Sequence, residues 1–356
     1  MKAQVNAQEL RNALRWVSKA SNPKSAIPIL GCVMLSAEDS KLSVQATDLE
    51  VMLTQDVEAN VEAEGQLCVE SVPLKKYLSK VGKNRDTVLT IDEDAFVTDL
   101  GKVRFPVADP EDWPARTDVV YDEALTVNLD EVPLKELAQF MATDDRRPIL
   151  KSMLFEQRES GLSFCAADGF RLVSYGDTEG DALKEWLVPR TAILRMAELK
   201  GMGVVSFGSK GTNGYARLVN DSCTVDALLT EGRFPDYKQI IRDNDDGTWA
   251  TFSTKEFAHA LDVLKAVIED KYTGVTLKTE LGEYTATLTD WGNKAKVEIV
   301  TDWDGEYKIA FNADLMLSCL ALCGERTEIL FNQKPHYPMQ IDGKALMVLM
   351  PMHIKS

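Results

Sequence analysis

Histidine is scarce in this chain, with three in 356 residues, at His259, His336 and His353. None stands beside a serine or cysteine in a pattern resembling a nucleophile elbow, and none shares metal-ligand spacing with a cysteine. The six cysteines, Cys32, Cys68, Cys165, Cys223, Cys319 and Cys323, include no CxxC pair and sit in apolar contexts, which reads as buried free thiols. Cys319 and Cys323 share a helix face, but two sulfurs without two further ligands do not make a zinc site. No Walker loop and no GxGxxG opens a helix after a strand. An enzyme therefore lacks its usual residue sets here, and neither a metal nor a cofactor is expected. No stretch approaches the roughly 18 apolar residues of a membrane helix, and Met1–Val5 lacks the apolar core of a signal peptide, so a cytoplasmic protein is expected.

What is present is a folded composition, 45% hydrophobic and 27% charged, with enough length for two or three cores. Lys plus Arg number 40 against 56 for Asp plus Glu, a net charge of -16, which ordinarily argues against a polyanionic partner. The charge is unevenly spread, however. Residues 1–24 carry Lys2, Arg11, Arg15, Lys19 and Lys24 against Glu9 alone, and 71–85 carry Lys75, Lys76, Lys80, Lys83 and Arg85 with no acid. Residues 188–200 add Arg190, Arg195 and Lys200 against Glu198, so the remainder of the chain is strongly acidic.

An internal repeat organises the whole sequence. Alternating runs ending in aspartate recur at Leu42–Asp48, Leu162–Asp168 and Tyr284–Asp290, spaced by about 120 residues. Asp112-Trp113-Pro114 is echoed by Arg233-Phe234-Pro235 at nearly the same period. Helical patterns are predicted over 8–17, 132–141 and 254–264, then over 73–81, 189–199 and 312–322, with period-two strands between them. The fold class is therefore α+β, with two helices on antiparallel sheet in each of three units, 1–118, 119–246 and 247–356. Within 73–83, Leu74, Tyr77, Leu78 and Val81 form the apolar stripe while Lys76, Lys80 and Lys83 occupy another face. Arg11, Arg15 and Lys19 repeat the device on the first helix. Either stripe alone is an ordinary solvated face. Basic stripes at two helices of one repeat unit, in a chain this acidic, point to a surface facing a polyanion.

Ordered motifs along nearly the whole chain resemble the bacterial DNA polymerase III β subunit family, the DNA sliding clamps. They are Ile27-Pro28-Ile29-Leu30, Thr47-Asp48-Leu49-Glu50, Ser152–Glu156, Ala167–Leu172, Glu231–Tyr237 and Val348–Met352. The resemblance implies a processivity factor that is not an enzyme: a homodimer closing head to tail into a six-domain ring around duplex DNA, without sequence preference, with helices lining the hole. It implies DNA contacts at Lys24, Lys75, Lys76 and Arg190, beside the stripe residues Lys80, Lys83, Arg11 and Arg15. Lys24 stands where the family tends to have arginine, and acids outnumber bases over 254–271.

The resemblance also implies a cleft that takes short linear segments of DNA polymerase, clamp loader and repair proteins. Its positions here are Arg147, Ile149, Leu150, Ala167, Gly169, Phe170, Arg171, Leu172, Pro235, Ile240, Asn312, Leu315, Val348, Leu349, Met350, Pro351 and Met352. Without the resemblance, the last of these read simply as a buried terminal strand. Phe170 stands where histidine is common, Gln239 where a basic residue is common, and Ile149 and Leu315 where tyrosines occur, so the resemblance is to a diverged form with a more apolar cleft, and the chain runs on through His353-Ile354-Lys355-Ser356. For the dimer seam the matching positions are Phe105, Val107 and Val267. Two rivals stand against the ring: an enzyme using Asp48, Asp168 and Asp290 as a carboxylate cluster, and a monomeric peptide-binding module. One aspartate per repeat at the same place reads more readily as a turn residue.

Overall fold

The computed structural model describes residues 1–81, 87–98, 101–114, 119–144, 146–177, 180–241, 247–268, 274–292, 295–332 and 337–353. The expected seams near 118 and 246 lie outside these residues, as does Lys83.

The period-two runs form strands, the 3.6-period segments form helices, and one element order recurs three times. The first series is β1 (Lys2–Asn6), α1 (Ala7–Val17), β2 (Cys32–Glu38), β3 (Lys41–Thr47), β4 (Val51–Ala63), β5 (Gly65–Glu70), α2 (Ser71–Val81), β6 (Val88–Asp92), β7 (Ala95–Thr98) and β8 (Gly101–Arg104), followed by the short β9 (Val107–Ala108). The second is β10 (Val120–Asn128), α3 (Leu134–Leu137), β11 (Ser152–Arg158), β12 (Gly161–Ala167), β13 (Arg171–Tyr175), β14 (Lys184–Pro189), α4 (Arg190–Met196), β15 (Met202–Lys210), β16 (Asn213–Asn220) and β17 (Cys223–Leu228). The third is β18 (Gly247–Ser253), α5 (Thr254–Lys265), β19 (Gly274–Thr279), β20 (Thr285–Asp290), β21 (Lys296–Val300), β22 (Tyr307–Asn312), α6 (Ala313–Leu320), β23 (Arg326–Asn332), β24 (Met339–Asp342) and β25 (Leu346–Leu349). No helix among these residues is long and apolar enough to cross a membrane.

The chain divides into two compact units, Met1–Val132 with Leu194–Leu229, and Pro133–Ile193 with Thr230–Ser356. The first holds a 13-stranded sheet in which β10, β15, β16 and β17 continue into β4, and through it into the other strands of the first series. The second holds an eight-stranded sheet, β14-β11-β12-β13-β25-β24-β23-β18, and a four-stranded sheet, β21-β20-β19-β22. Every pairing between named strands is antiparallel.

The helices sit where capping and apolar spacing put them. Asn6 caps α1 by accepting from the Gln8 and Glu9 backbone N–H groups, and Leu10, Leu14 and Val17 turn into the core. Ser253 and Asn312 cap α5 and α6 in the same way. The helix expected over 132–141 is shorter, a single α turn followed by a 3-10 turn at Ala138–Phe140. The backbone becomes extended at Met141, and Ala142 N–H then bonds the Leu150 carbonyl at 2.9 Å, so pairing with the returning chain ends the helix. Likewise α4 stops at Met196 rather than 199, in i→i−3 turns that lead to Gly201 with φ +77°.

The three repeated aspartates are turn residues. Asp48, Asp168 and Asp290 each accept, through side-chain oxygens, the N–H groups of the residues that reverse the chain: Glu50 and Val51, Phe170 and Arg171, Gly292 and Ala295. In each turn the aspartate N–H bonds back, to Val51, Arg171 or Ala295 carbonyl at 3.2, 3.2 and 3.3 Å. Because these bonds are charge-assisted, Asp48→Ala should cost about 1–3 kcal/mol, read as a lowered urea midpoint, whereas Asp48→Asn retains most of the stability. An unchanged midpoint in Asp48→Ala would remove the turn's role in setting the strands that flank it.

Candidate functional site

Two surfaces gather the residues singled out by sequence. The first is the α1 and α2 pair. Leu74 and Leu78 bury α2, which leaves Lys75, Lys76 and Lys80 exposed, and on α1 Arg15 is exposed and Arg11 half-buried. Lys75 Nζ donates to Ser18 Oγ at 2.9 Å, tying the second helix to the end of the first. Lys19 is committed to Glu198, which also accepts from Arg195 at 2.6 Å. Lys24 is exposed on a turn organised by Asn22, whose side chain accepts the Lys24 N–H at 3.3 Å. Arg190 differs from the lysines. It is half-buried, its guanidinium donates to the Ala138 carbonyl, and burial, then the neighbouring Arg171 cation, lower its pKa. On α5 Lys255 and Lys265 are balanced by Glu256 and Asp262, and Lys265 is bound to Asp314 at 2.6 Å, so this helix of the third series carries no comparable basic row.

The second surface lies wholly in the second unit. The Asp168 turn is made by Gly169 at φ +88°, a conformation that favours glycine, and a Cβ there would lie 2.2 Å from Arg147 Nη1. That close approach lets Arg147 donate to the Asp168 carbonyl and lie 5.5 Å over the Phe170 ring. Beyond the turn, β13 pairs with β25 so that Leu172 faces Val348, and the Met350 N–H bonds the Phe170 carbonyl at 2.8 Å. Leu172, Val348 and Ala167 join Leu154, Leu187, Phe234 and Tyr237 in one buried cluster, against which Ile149 and Leu150 pack. Around it Phe170 is 56% exposed, Ile240 and Met350 each 41%, and Pro235 is exposed. Large apolar groups held open to water above an apolar floor mark a surface built for contact.

Other residues named for this site are not on its surface. Leu349 is wholly buried on the opposite side of the strand from Val348. Arg171 pairs with Asp168 at 3.0 Å, donates to the Ser318 hydroxyl and the Gln139 carbonyl, and lies 4.7 Å over Phe140. It braces the turn from behind. Asn312 caps α6 through Leu315 N–H at 3.1 Å. Leu315, Pro351 and Met352 are half-buried, and Met352 N–H bonds the Ala310 carbonyl at 2.7 Å.

Sequence reasoning missed the support beneath this surface. Tyr237 donates to Glu156 at 2.7 Å, and Arg158 pairs with Glu156 at 3.0 Å, both charged side chains being 2% exposed. Burial, then the hydrogen bond to Glu156, push the Tyr237 hydroxyl well above the ordinary phenol range. The one signal for it was Tyr237 at the end of the Glu231–Tyr237 motif. Cys165, in the same cluster, has its thiol raised well above normal by burial, and Cys319 is pushed up to about 12, so both stay protonated. No group of three or more His, Cys, Asp or Glu side chains among the described residues is placed to hold a metal ion.

Of the seam residues, Phe105 is buried, edge-on to Phe96 and Tyr77 at ring distances of 5.1 and 5.6 Å. Val107 and Val267 are exposed.

Comparisons with known proteins match the N-terminal third to a family model and nearly the whole chain to individual relatives. Residues 1–117 match the family model for the DNA polymerase III beta subunit, N-terminal domain. The beta sliding clamp of Caulobacter vibrioides is 27% identical over 374 residues, covering 99% of this chain and 100% of that one. The beta sliding clamp of Escherichia coli is 26% identical, with the same coverage. Among solved structures, the DNA polymerase sliding clamp from Bacillus subtilis superposes with a TM-score of 0.87 at 18% identity, covering 100% of both chains. Caulobacter crescentus pol III beta does so with 0.86 at 23%, covering 99% of this chain and 100% of that one. The thrice-repeated strand and helix order, with sheets continued from one series into the next, is the fold of a sliding-clamp chain. Residues 1–117 thus match the N-terminal domain of DNA polymerase III beta subunits, and nearly the whole chain is similar to beta sliding clamps.

Gly169→Ala should destabilise the second unit by about 1–3 kcal/mol, through both the positive φ and the collision with Arg147. In an Arg147→Ala background the collision disappears, so part of the loss should be recovered in a double-mutant cycle followed by thermal unfolding. Strictly additive losses would show that the two side chains do not share this space.

Proposed function

We propose that the chain is a DNA sliding clamp: a non-catalytic accessory subunit of a DNA polymerase that closes, as a dimer, around duplex DNA and tethers partners through the apolar surface at Leu172, Val348 and Met350. One observation carries this reading. The sheet passes from the first series to the second by pairing β4 with β17, and from the second to the third by pairing β13 with β25. Both are the same junction, the fourth strand of the first-helix set against the last strand of the following series. By that rule β21 and β8 are the two strands left over, and each ends its sheet among the described residues. They complement one another, so a second copy pairs its β8 with this chain's β21 and the reverse, which closes the ring head to tail and hides every such edge. The three series then serve as three domains, 1–118, 119–246 and 247–356.

The charge pattern supports the same reading. Lys24, Lys75, Lys76, Lys80, Arg11 and Arg15 stand on helices and a turn rather than on the sheets, in a chain of net charge -16. Diffuse backbone contacts hold DNA without reading it, and an acidic remainder keeps it from other surfaces. The apolar surface supplies the tether, where one short contact raises a polymerase's effective concentration at the primer end. The exposed methionine at 350 lets it accept partners that differ in their anchors.

Sedimentation should give a mass near twice 39.6 kDa, and the protein loaded on nicked circular DNA should stay bound until the circle is linearised. A stable monomer at micromolar concentration, or equal retention on both DNA forms, sinks the ring. Reversing charge at Lys76 and Lys80 should weaken DNA association and flatten its salt dependence while the dimer persists. Met350→Ala should cut affinity for a polymerase's clamp-binding peptide by roughly tenfold or more with folding and dimerisation unchanged. If Met350→Ala and Leu172→Ala both bind that peptide normally, the docking surface lies elsewhere.

A further inference from the structure

The repeat that sets two junctions within the chain also sets the register of a third, made with a second copy. Met52 and Leu172 each pair across a hairpin with the residue before the turn aspartate, Thr47 and Ala167, and on β21 that place belongs to Lys296, paired with Thr289. On the other side of the first junction, Asp226 of β17 lies three pairs in from the hairpin end at Asn220 and Cys223. On β8 the residue three pairs in from the equivalent end, Thr98 and Gly101, is Arg104. Met52 faces Asp226, so the same junction made between copies sets Lys296 opposite Arg104, Val297 opposite Val103 and Glu298 opposite Lys102.

Burial shows which of these positions await cover. At the two junctions within the chain, Leu53 faces Val225 and Val173 faces Met347, and all four are wholly buried. Their counterparts are not: Val103 is 38% exposed and Val297 is half-buried. Two valines that occupy core positions of the repeat, one on each free edge, cover one another when two copies meet. The charged side chains alternate with these valines and so stand on the opposite face of their strands. Lys102, Arg104, Lys296 and Glu298 are all exposed. Lys296 holds Glu298 at 3.0 Å, and Arg104 is paired with Asp94.

We propose that the seam between copies uses this register and that Lys296 limits its strength. Val297 packs on Val103 of the second copy, while the other face sets one attractive pair, Glu298 with Lys102, beside one repulsive pair, Lys296 with Arg104. Like charges directly opposite on antiparallel strands oppose pairing as opposite charges favour it. Glu298 is the one acid that β21 sets against the two bases of β8, and Lys296 offsets it. At the junctions within the chain the same place holds Met52 with Asp226 and Leu172 with Val348, neither of them a like-charged pair. The seam is therefore the junction that a single charge reversal can tighten. This assignment rests on the ring reading and adds to it the register and the sign of each facing charge.

The test is fluorescence-detected sedimentation of the labelled full-length protein, from picomolar to micromolar concentration. A ring has two identical seams, so each substitution acts twice. At low salt Lys296→Glu should lower the dimer dissociation constant about tenfold and Glu298→Lys should raise it about tenfold. Adding Lys102→Glu to Glu298→Lys should restore the parent value, and the gain from Lys296→Glu should shrink as salt rises. A gain in affinity is an outcome that misfolding cannot imitate. A dimer that Lys296→Glu leaves unchanged or loosens, or that the exchanged pair Glu298→Lys with Lys102→Glu fails to restore, has another register, which overturns the assignment while the ring stands. A parent chain that stays monomeric at micromolar concentration overturns both.

Discussion

Antiparallel pairing between strands of successive series is the constraint on which the rest of this molecule depends. A sheet edge is a row of unsatisfied N–H and C=O groups, and a chain built from similar units would present several of them. Here β4 takes β17 and β13 takes β25, so the edge of one series becomes the interior of a larger sheet. Register follows from the same bonds, because a slip of one residue would exchange the faces of every side chain. That is how Val348 comes to lie beside Leu172, some 176 positions away in the sequence, and how Asp226 comes to lie beside Met52.

The aspartate turns make those pairings reproducible. A carboxylate that gathers two backbone N–H groups fixes where the following strand begins, and it does so at 48, 168 and 290 alike. What stands next to the turn differs from series to series. At 169 and 170 a glycine and an exposed phenylalanine open the chain toward Arg147, whereas at 49 and 50 the same turn carries leucine and glutamate. At the junctions two series contribute side chains to one surface, and the strands between them serve as frame.

Charge is organised by the same division. Helices carry the basic rows and the chain as a whole is acidic, which is the arrangement needed for a surface that attracts a polyanion weakly in one place and nowhere else. The buried Glu156–Arg158 pair with Tyr237 belongs to another category. Such a pair contributes little net stability, since desolvating two charges offsets their attraction, but removing one partner strands the other. Its position under Phe234 and Tyr237 suits it to holding the wall of the apolar surface in one arrangement.

The triple repeat, the α+β class, five of the six helix positions within a few residues and the role of the three aspartates were legible in the sequence, because each rests on local periodicity or on side chain to backbone bonds between near neighbours. The apolar positions at 348–350 were legible only through resemblance, since a buried terminal strand and a docking surface have the same pattern of residues. What the tertiary structure alone decided was direction and partnership. Arg171 and Arg190 turn their guanidinium groups inward to carbonyls and rings, Leu349 faces the core while Met350 does not, and Glu156 meets Tyr237. The short third helix was decided there too, by the pairing of Ala142 with Leu150. None of these can be read from a one-dimensional pattern, because each depends on which distant backbone or ring the fold brings within about 3–5 Å, and hydrogen bonds and cation–π contacts act only at that range.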